Sequence, residues 1–173
     1  MTLEGQYGPS RRELLQHLSV RLLQQQSETI YFIGEIDREQ KHWNHFNPND
    51  LTIRWDPNSL FVSDDEIYVS PVTTLAHEAA HAARYDEALN STDPNVKTEY
   101  KKSRQSKLND AYGSDEEEEI IITVEQSAAR KHGEIRNDQV TRTNHNGGYI
   151  ISLPNEISPS DLSKFIFEHN NLL

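Results

Sequence analysis

The 173-residue chain contains no cysteine, and this excludes disulfides, thiolate metal sites and a cysteine nucleophile together. Apolar residues are also scarce, at 34%, and the mean hydropathy is −0.81. Both values are low for a globular domain and point to a modest core with long polar loops. Basic residues are outnumbered 17 to 28 by acidic ones, for a formal charge of −11. A balance of that sign excludes nucleic acid and anionic membrane as general partners, since both reward clustered Lys and Arg. No run approaches the roughly 20 apolar residues of a membrane helix. The opening MTLEGQYGPSRRE lacks the apolar core of a classical signal peptide, so a soluble chain is expected. With thiols absent, the eight histidines are the nitrogen ligands on offer.

What is present falls into a readable order. SRRELLQHLSVRLLQQ at 10–25 reads as an amphipathic helix, with Ser10 and Glu13 in capping-box spacing and Leu14, Leu15, Leu18 and Leu22 on one face. TIYFIGEI at 29–36 and LTIRW at 51–55 read as strands, and Asp56-Pro57-Asn58 supplies turn chemistry before SLFVS and EIYVS. A small meander of three or four strands ending near Ser70 is expected. Pro71 then opens an alanine-rich helix, PVTTLAHEAAHAARYDEAL. Residues 90–114 are polar and suit a surface excursion or a marginal helix. Ser114 begins a further helix that Gly133 ends, NHNGG at 144–148 is a turn, Tyr149 to Leu153 is a short strand, and Ser158 caps a last helix.

The chemistry lies in His77-Glu78-Ala79-Ala80-His81. A spacing of four residues on a helix sends both imidazoles from one face toward one tetrahedral Zn²⁺. Glu78 is then placed to take a proton from the metal's water rather than to coordinate. A catalytic zinc site needs a third protein ligand. The residues after His81, AARYDEALN, lack the histidine and glycine of the extended HExxHxxGxxH form. A carboxylate on the next helix is the leading candidate. Glu117 shares a helical face with Ile120, Ile121, Val124 and Ala128, and Glu116 is its rival. A competing assignment needs no metal: Ser114 and Glu117 also have capping-box spacing, and first-turn acids suit the helix dipole.

From Trp55 onward the chain resembles the metallopeptidase-like toxin domains at the C-termini of bacterial RHS-repeat proteins, which are related to zinc-peptidase effectors of type III secretion. The matching features are WDP at 55–57, SP at 70–71 before LAHEAAHA, the acid pair Glu116-Glu117, Glu125-Gln126, Gly133-Glu134 and VTRTNHNGGY at 140–149. The acid pair lies nine and eight positions before Glu125, as in the family pattern. Two departures stand out: Thr123 occupies a usual glycine position, and the residue after His77-Glu78 is smaller than usual.

The resemblance implies an α+β, zincin-like fold in which a small antiparallel sheet packs against the HExxH helix and a second ligand-bearing helix. Residues 1–27 are then an N-terminal helical extension, 28–158 the peptidase core and 159–173 a C-terminal helix of a single domain. It also implies peptide hydrolysis, with His77, His81 and Glu117 holding Zn²⁺ and Glu78 as general base. Tyr149 and His145 are the expected donors to the developing oxyanion, with Arg142 third. EIYVS offers an edge to a substrate strand. The implied partners are a protein substrate and a cognate immunity protein, and the implied location is outside the producing cell, by secretion or injection. His17, His42, His45, His132 and His169 receive no role. Two other classes compete: a catalytically silent zinc-stabilised binding module, and an acidic interaction or inhibitor protein.

Overall fold

The computed structural model describes residues 32–35, 44–108, 110–145, 147–153 and 157–172; the helix expected over 10–25 lies outside them. The described residues all belong to one compact unit, Tyr31–Leu173. The class is α+β. Strands β1 (Phe32–Glu35), β2 (His45–Asn47) and β3 (Thr52–Trp55) form one sheet in the order β1-β3-β2. Strands β4 (Ser59–Ser63), β5 (Tyr68–Val69) and β6 (Gly148–Ser152) form a second in the order β5-β4-β6.

Two sheets therefore replace the single meander, and the first is mixed, because β1 runs parallel to β3 while β2 is antiparallel to it. The cause is the Asp56-Pro57-Asn58 turn. Asp56 accepts from the Asn58 amide through Oδ1 (2.8 Å) and from the Ser59 amide through its carbonyl (3.3 Å). This tight reversal sends β4 away from β3, and β4 pairs instead with β5 and, from far along the chain, with β6.

All five residues of β4 are buried, since both faces of this central strand are covered. One face sets Phe61 with Val69 against Ala129 and Ile135, and the other sets Leu60 with Leu153 against Ile166 of the last helix. The outer edge of β5 is occupied. Asn170 accepts from the Tyr68 amide (2.8 Å) and donates to the Tyr68 carbonyl (2.9 Å), while Glu134 accepts from the Ser70 amide (3.1 Å). The edge expected to receive a substrate strand is thus closed at Tyr68 and Ser70.

Helix α1 (Pro71–Asn90) begins as the sequence predicts, with Pro71 in its first turn and the Ser70 side chain accepting from the Thr73 amide. Trp55, at the end of β3, donates to the Pro71 carbonyl (2.6 Å) and locks the helix start to the first sheet. Helix α2 (Pro94–Ser103), capped by Asp93, buries none of its residues and forms part of the predicted polar excursion. Helix α3 (Asp115–Ile120) leads into a π turn (Ile121–Glu125) and then helix α4 (Gln126–Lys131). Helix α5 (Pro159–Asn170) closes the described chain. Among the described residues, no helix is long and apolar enough to cross a membrane.

The π turn was not anticipated, and it changes which side chains face inward. In it the Gln126 amide donates to the Ile121 carbonyl, five residues back, so the turn accommodates one extra residue. The eight-residue step from Glu117 to Glu125 then does the work of two turns, which in an uninterrupted α-helix takes about seven residues. The buried face continues from Ile120 and Ile121 to Glu125, Gln126 and Ala129. Val124 and Ala128, expected on that stripe, are only partly buried.

Candidate metal centre

The centre sits where α1 meets α3 and the π turn. Three contacts set the entry of α1: besides the Ser70 amide, Glu134 accepts from the Ser70 hydroxyl (2.5 Å) and the Thr73 hydroxyl (2.9 Å). The motif histidines follow one and two turns further on. Ser114 caps α3 through the Glu117 amide (3.3 Å), and Arg84 of α1 pairs with Glu119 across the two helices. The Glu117 side chain turns to the imidazoles. Its Oε1 lies 3.0 Å from His81 Nε2, and its Oε2 lies 3.3 Å from His77 Nε2. The two Nε2 atoms are 3.2 Å apart.

His77, His81 and Glu117 can hold a metal ion: one ligand atom from each lies within 4.8 Å of the others. A tetrahedral ion with metal–ligand bonds of about 2.0–2.1 Å separates its ligand atoms by roughly 3.3 Å. The two Nε2 atoms, 3.2 Å apart, lie close to that edge length, and each faces a different Glu117 oxygen, at 3.0 and 3.3 Å. Glu117 Oε2 is moreover buried without a hydrogen-bond partner among the described residues, a costly condition for a carboxylate oxygen that a cation would relieve. The residues present fit a cation.

The charge around the imidazoles is strongly negative. Burial lowers the affinity of His77 for a proton, but Glu117 and Glu125 more than offset it and the net shift is upward. At His81 burial is likewise outweighed by Glu116 and Glu117, and the group is raised to about 9. Burial pushes the Glu117 carboxyl up, yet the two imidazoles hold it far below the ordinary carboxylate range. A field that favours protonated imidazole also favours a divalent cation in the same place.

Glu116 and Glu117 occupy different positions. Glu117 faces both Nε2 atoms, whereas Glu116 lies on the far side of His81, with Oε1 3.5 Å from Nδ1 and Oε2 3.1 Å from Arg104 Nε. Behind His77, Nδ1 is 2.9 Å from Glu125 Oε2. Arg142 holds that carboxylate through Nη2 (2.6 Å) and Nε (3.2 Å). Burial raises Glu125, but Arg142 first and then His77 bring it down to about 2. Glu78 is buried beside His77, and its Oε2 accepts from the Phe46 amide of β2 (2.7 Å).

The remaining predicted donors separate. His145 is brought to the centre, with Nε2 3.4 Å from Glu117 Oε2. Burial, then Arg142, His77 and His81, lower its proton affinity against the opposing pull of Glu117. Its loop is fixed from outside: the His145 amide donates to the Ala111 carbonyl (3.0 Å), and Thr143 donates from its amide and hydroxyl to Asp65 (3.2 and 2.8 Å). Gly148 follows at φ +144, where a Cβ would run into the Val62 carbonyl and the Phe61 ring. Arg142 is committed to Glu125, lies with Nη2 3.2 Å from His77 Nδ1, and donates through Nη1 to the His145 carbonyl (3.2 Å). Tyr149 is half exposed and stands apart from the cavity, because the alternation of β6 turns Ile150 inward in its place.

The centre opens into a cavity of about 530 Å³, walled by Phe46, Phe61 and Ile150 and by Asn44, Thr74 and Arg104. Sequence reasoning gave no role to Arg104, to the Phe46 amide or to Glu125. Glu125 carried one signal, its place in the Glu125-Gln126 pair on which the resemblance rests. The other two had none, since neither a backbone amide nor a lone arginine in a polar stretch marks itself. No family model matches the chain, and neither the curated proteins nor the solved structures contain a match.

Proposed function

We propose that the chain is a zinc-dependent endopeptidase with a zincin-like core. The observation that carries this reading is Glu117 set across two Nε2 atoms that lie 3.2 Å apart, with Glu78 buried beside the first of them. His77, His81 and Glu117 would hold the ion. When bound, Zn²⁺ supplies Lewis acidity, which activates water and polarises a scissile carbonyl.

The chain's own groups do the rest. Glu78, oriented by the Phe46 amide, accepts the proton from the attacking water and passes it to the leaving amine. His145, held beside Glu117, donates toward the oxyanion. The apolar walls exclude water from the charged groups and so strengthen their action.

We further propose that this peptidase is a toxin or effector, secreted or injected into a target cell, with a cognate immunity protein. Supporting this is the way the segments that resemble those of RHS-linked toxin domains contact one another: Trp55 on Pro71, Glu134 on Ser70, Arg142 on Glu125 and His145 on Glu117. The test compares wild type with Glu78→Gln. The variant is expected to retain zinc while proteolysis and toxicity are lost, read from the new protein N-termini that each generates in a host proteome. Equal cleavage or equal toxicity by both contradicts the mechanism.

A further inference from the structure

Each motif imidazole has a carboxylate behind it, and each carboxylate has an arginine behind it. Glu125 and Arg142 stand behind His77, and Glu116 and Arg104 stand behind His81. The two carboxylates are equally buried, but the two sets differ in their distances and in the exposure of the arginine. Glu125 Oε2 is 2.9 Å from His77 Nδ1, which also lies 3.2 Å from Arg142 Nη2, whereas Glu116 Oε1 is 3.5 Å from His81 Nδ1 and has no hydrogen-bond partner among the described residues. Arg142 grips Glu125 with two nitrogens and its side chain is 10% exposed. Arg104 reaches Glu116 through Nε alone, from a side chain 42% exposed on the polar excursion.

We propose that Glu125, braced by Arg142, is the positioning residue that fixes the metal-binding face of His77, and that Glu116 with Arg104 performs the same task for His81 only weakly. This rests on the metal reading of His77, His81 and Glu117. The physical reason is directional. A proton on Nδ1 donated to Glu125 leaves the Nε2 lone pair for the ion and fixes the orientation of the ring. Glu125 is free to do this because Arg142 compensates its buried charge, and an unpaired carboxylate so deep would be costly. Arg142 is itself fixed, with Nη1 on the His145 carbonyl and its guanidinium 5.1 Å over the Phe61 ring.

The π turn acquires a purpose in this arrangement. If the same eight-residue step were regular α-helix, Glu125 would stand about 80° around the helix from Glu117; the π turn brings both to the side of the same histidine. The Thr123 hydroxyl donates to the Glu119 carbonyl (2.6 Å), linking the π turn to the end of α3.

The test measures metal affinity in the full chain by chelator competition with Zn²⁺. It also records the visible spectrum after Co²⁺ loading, which reports ligand geometry independently of activity. Glu125→Gln is expected to weaken zinc about 10- to 100-fold and to alter the Co²⁺ bands, the usual scale for losing such a support. Glu116→Gln should lose less than about a third of that on a logarithmic scale. Arg142→Lys, which keeps the charge but loses the two-pronged grip, should fall between wild type and Glu125→Gln and covers the case in which Glu125→Gln does not fold. Wild-type affinity and spectrum in the folded Glu125→Gln or Arg142→Lys protein, or a larger loss in Glu116→Gln, overturns the proposal. Failure of wild type itself to bind, with His77→Ala indistinguishable from it, overturns instead the metal reading beneath it.

Discussion

Glu117 spans the two histidines of the HExxH turn, with one carboxylate oxygen 3.0 Å from His81 Nε2 and the other 3.3 Å from His77 Nε2. Its neighbours in the acidic run are placed differently: Glu116 lies between His81 Nδ1 and Arg104, and Glu119 meets Arg84. The order of importance among these acids follows from that placement. Glu117→Ala is expected to lower zinc affinity by at least about 100-fold, since a three-residue site loses one ligand. Glu118→Ala should stay within about twofold of wild type. Isothermal titration of the purified variants checks this, and the reverse order would move the third ligand.

The sequence was informative where chemistry or local geometry has a short-range signature. Ser70-Pro71 marks the start of α1 because a cap and a first-turn proline act within one turn, and the four-residue histidine spacing survives any tertiary context that keeps the helix. Phase singled out Glu117, whose side chain does face both imidazoles, and the π turn lies beyond it. The same reasoning failed at Val124 and Ala128, where an inserted residue rotates the face and no propensity announces it. The split into two sheets was equally hidden. Strand pairing is a long-range choice, and β4 finds β6 about 90 residues later through contacts that local patterning does not encode.

Glu134 provides a pH test that avoids the metal ligands. Burial raises its carboxyl above the ordinary value near 4.5, while Ser70 and Thr73, and more distantly His132, pull it down without cancelling the shift. The folded state therefore holds this proton more tightly than the unfolded state does. Its contribution is fully present below the unfolded value and is lost as pH rises through the folded one. In Glu134→Gln this component disappears. Urea melts at successive pH values from 4 upward should show wild type losing stability relative to the variant as pH rises. A constant difference between the two would contradict the shift.

Asn170 ties α5 to the second sheet. Its side chain is wholly buried, accepts from the Tyr68 amide, and donates to the carbonyls of Tyr68 (2.9 Å) and Glu134 (2.8 Å). Asn170→Ala leaves three backbone groups unpaired and is expected to cost about 3 kcal/mol. Chemical denaturation measures it, and a loss below about 0.5 kcal/mol would show that water or a rearranged helix replaces these bonds.

Zinc content tests the central claim most directly: that His77, His81 and Glu117 form one metal site. The full chain, purified without chelator and analysed by elemental mass spectrometry, is expected to carry about one zinc per molecule. The metal-stripped protein should melt several degrees higher once zinc is restored, because an ion that binds only the folded state stabilises it. His77→Ala should show neither effect. Wild-type protein with well under one zinc per chain, and no thermal shift on adding it, would contradict the claim.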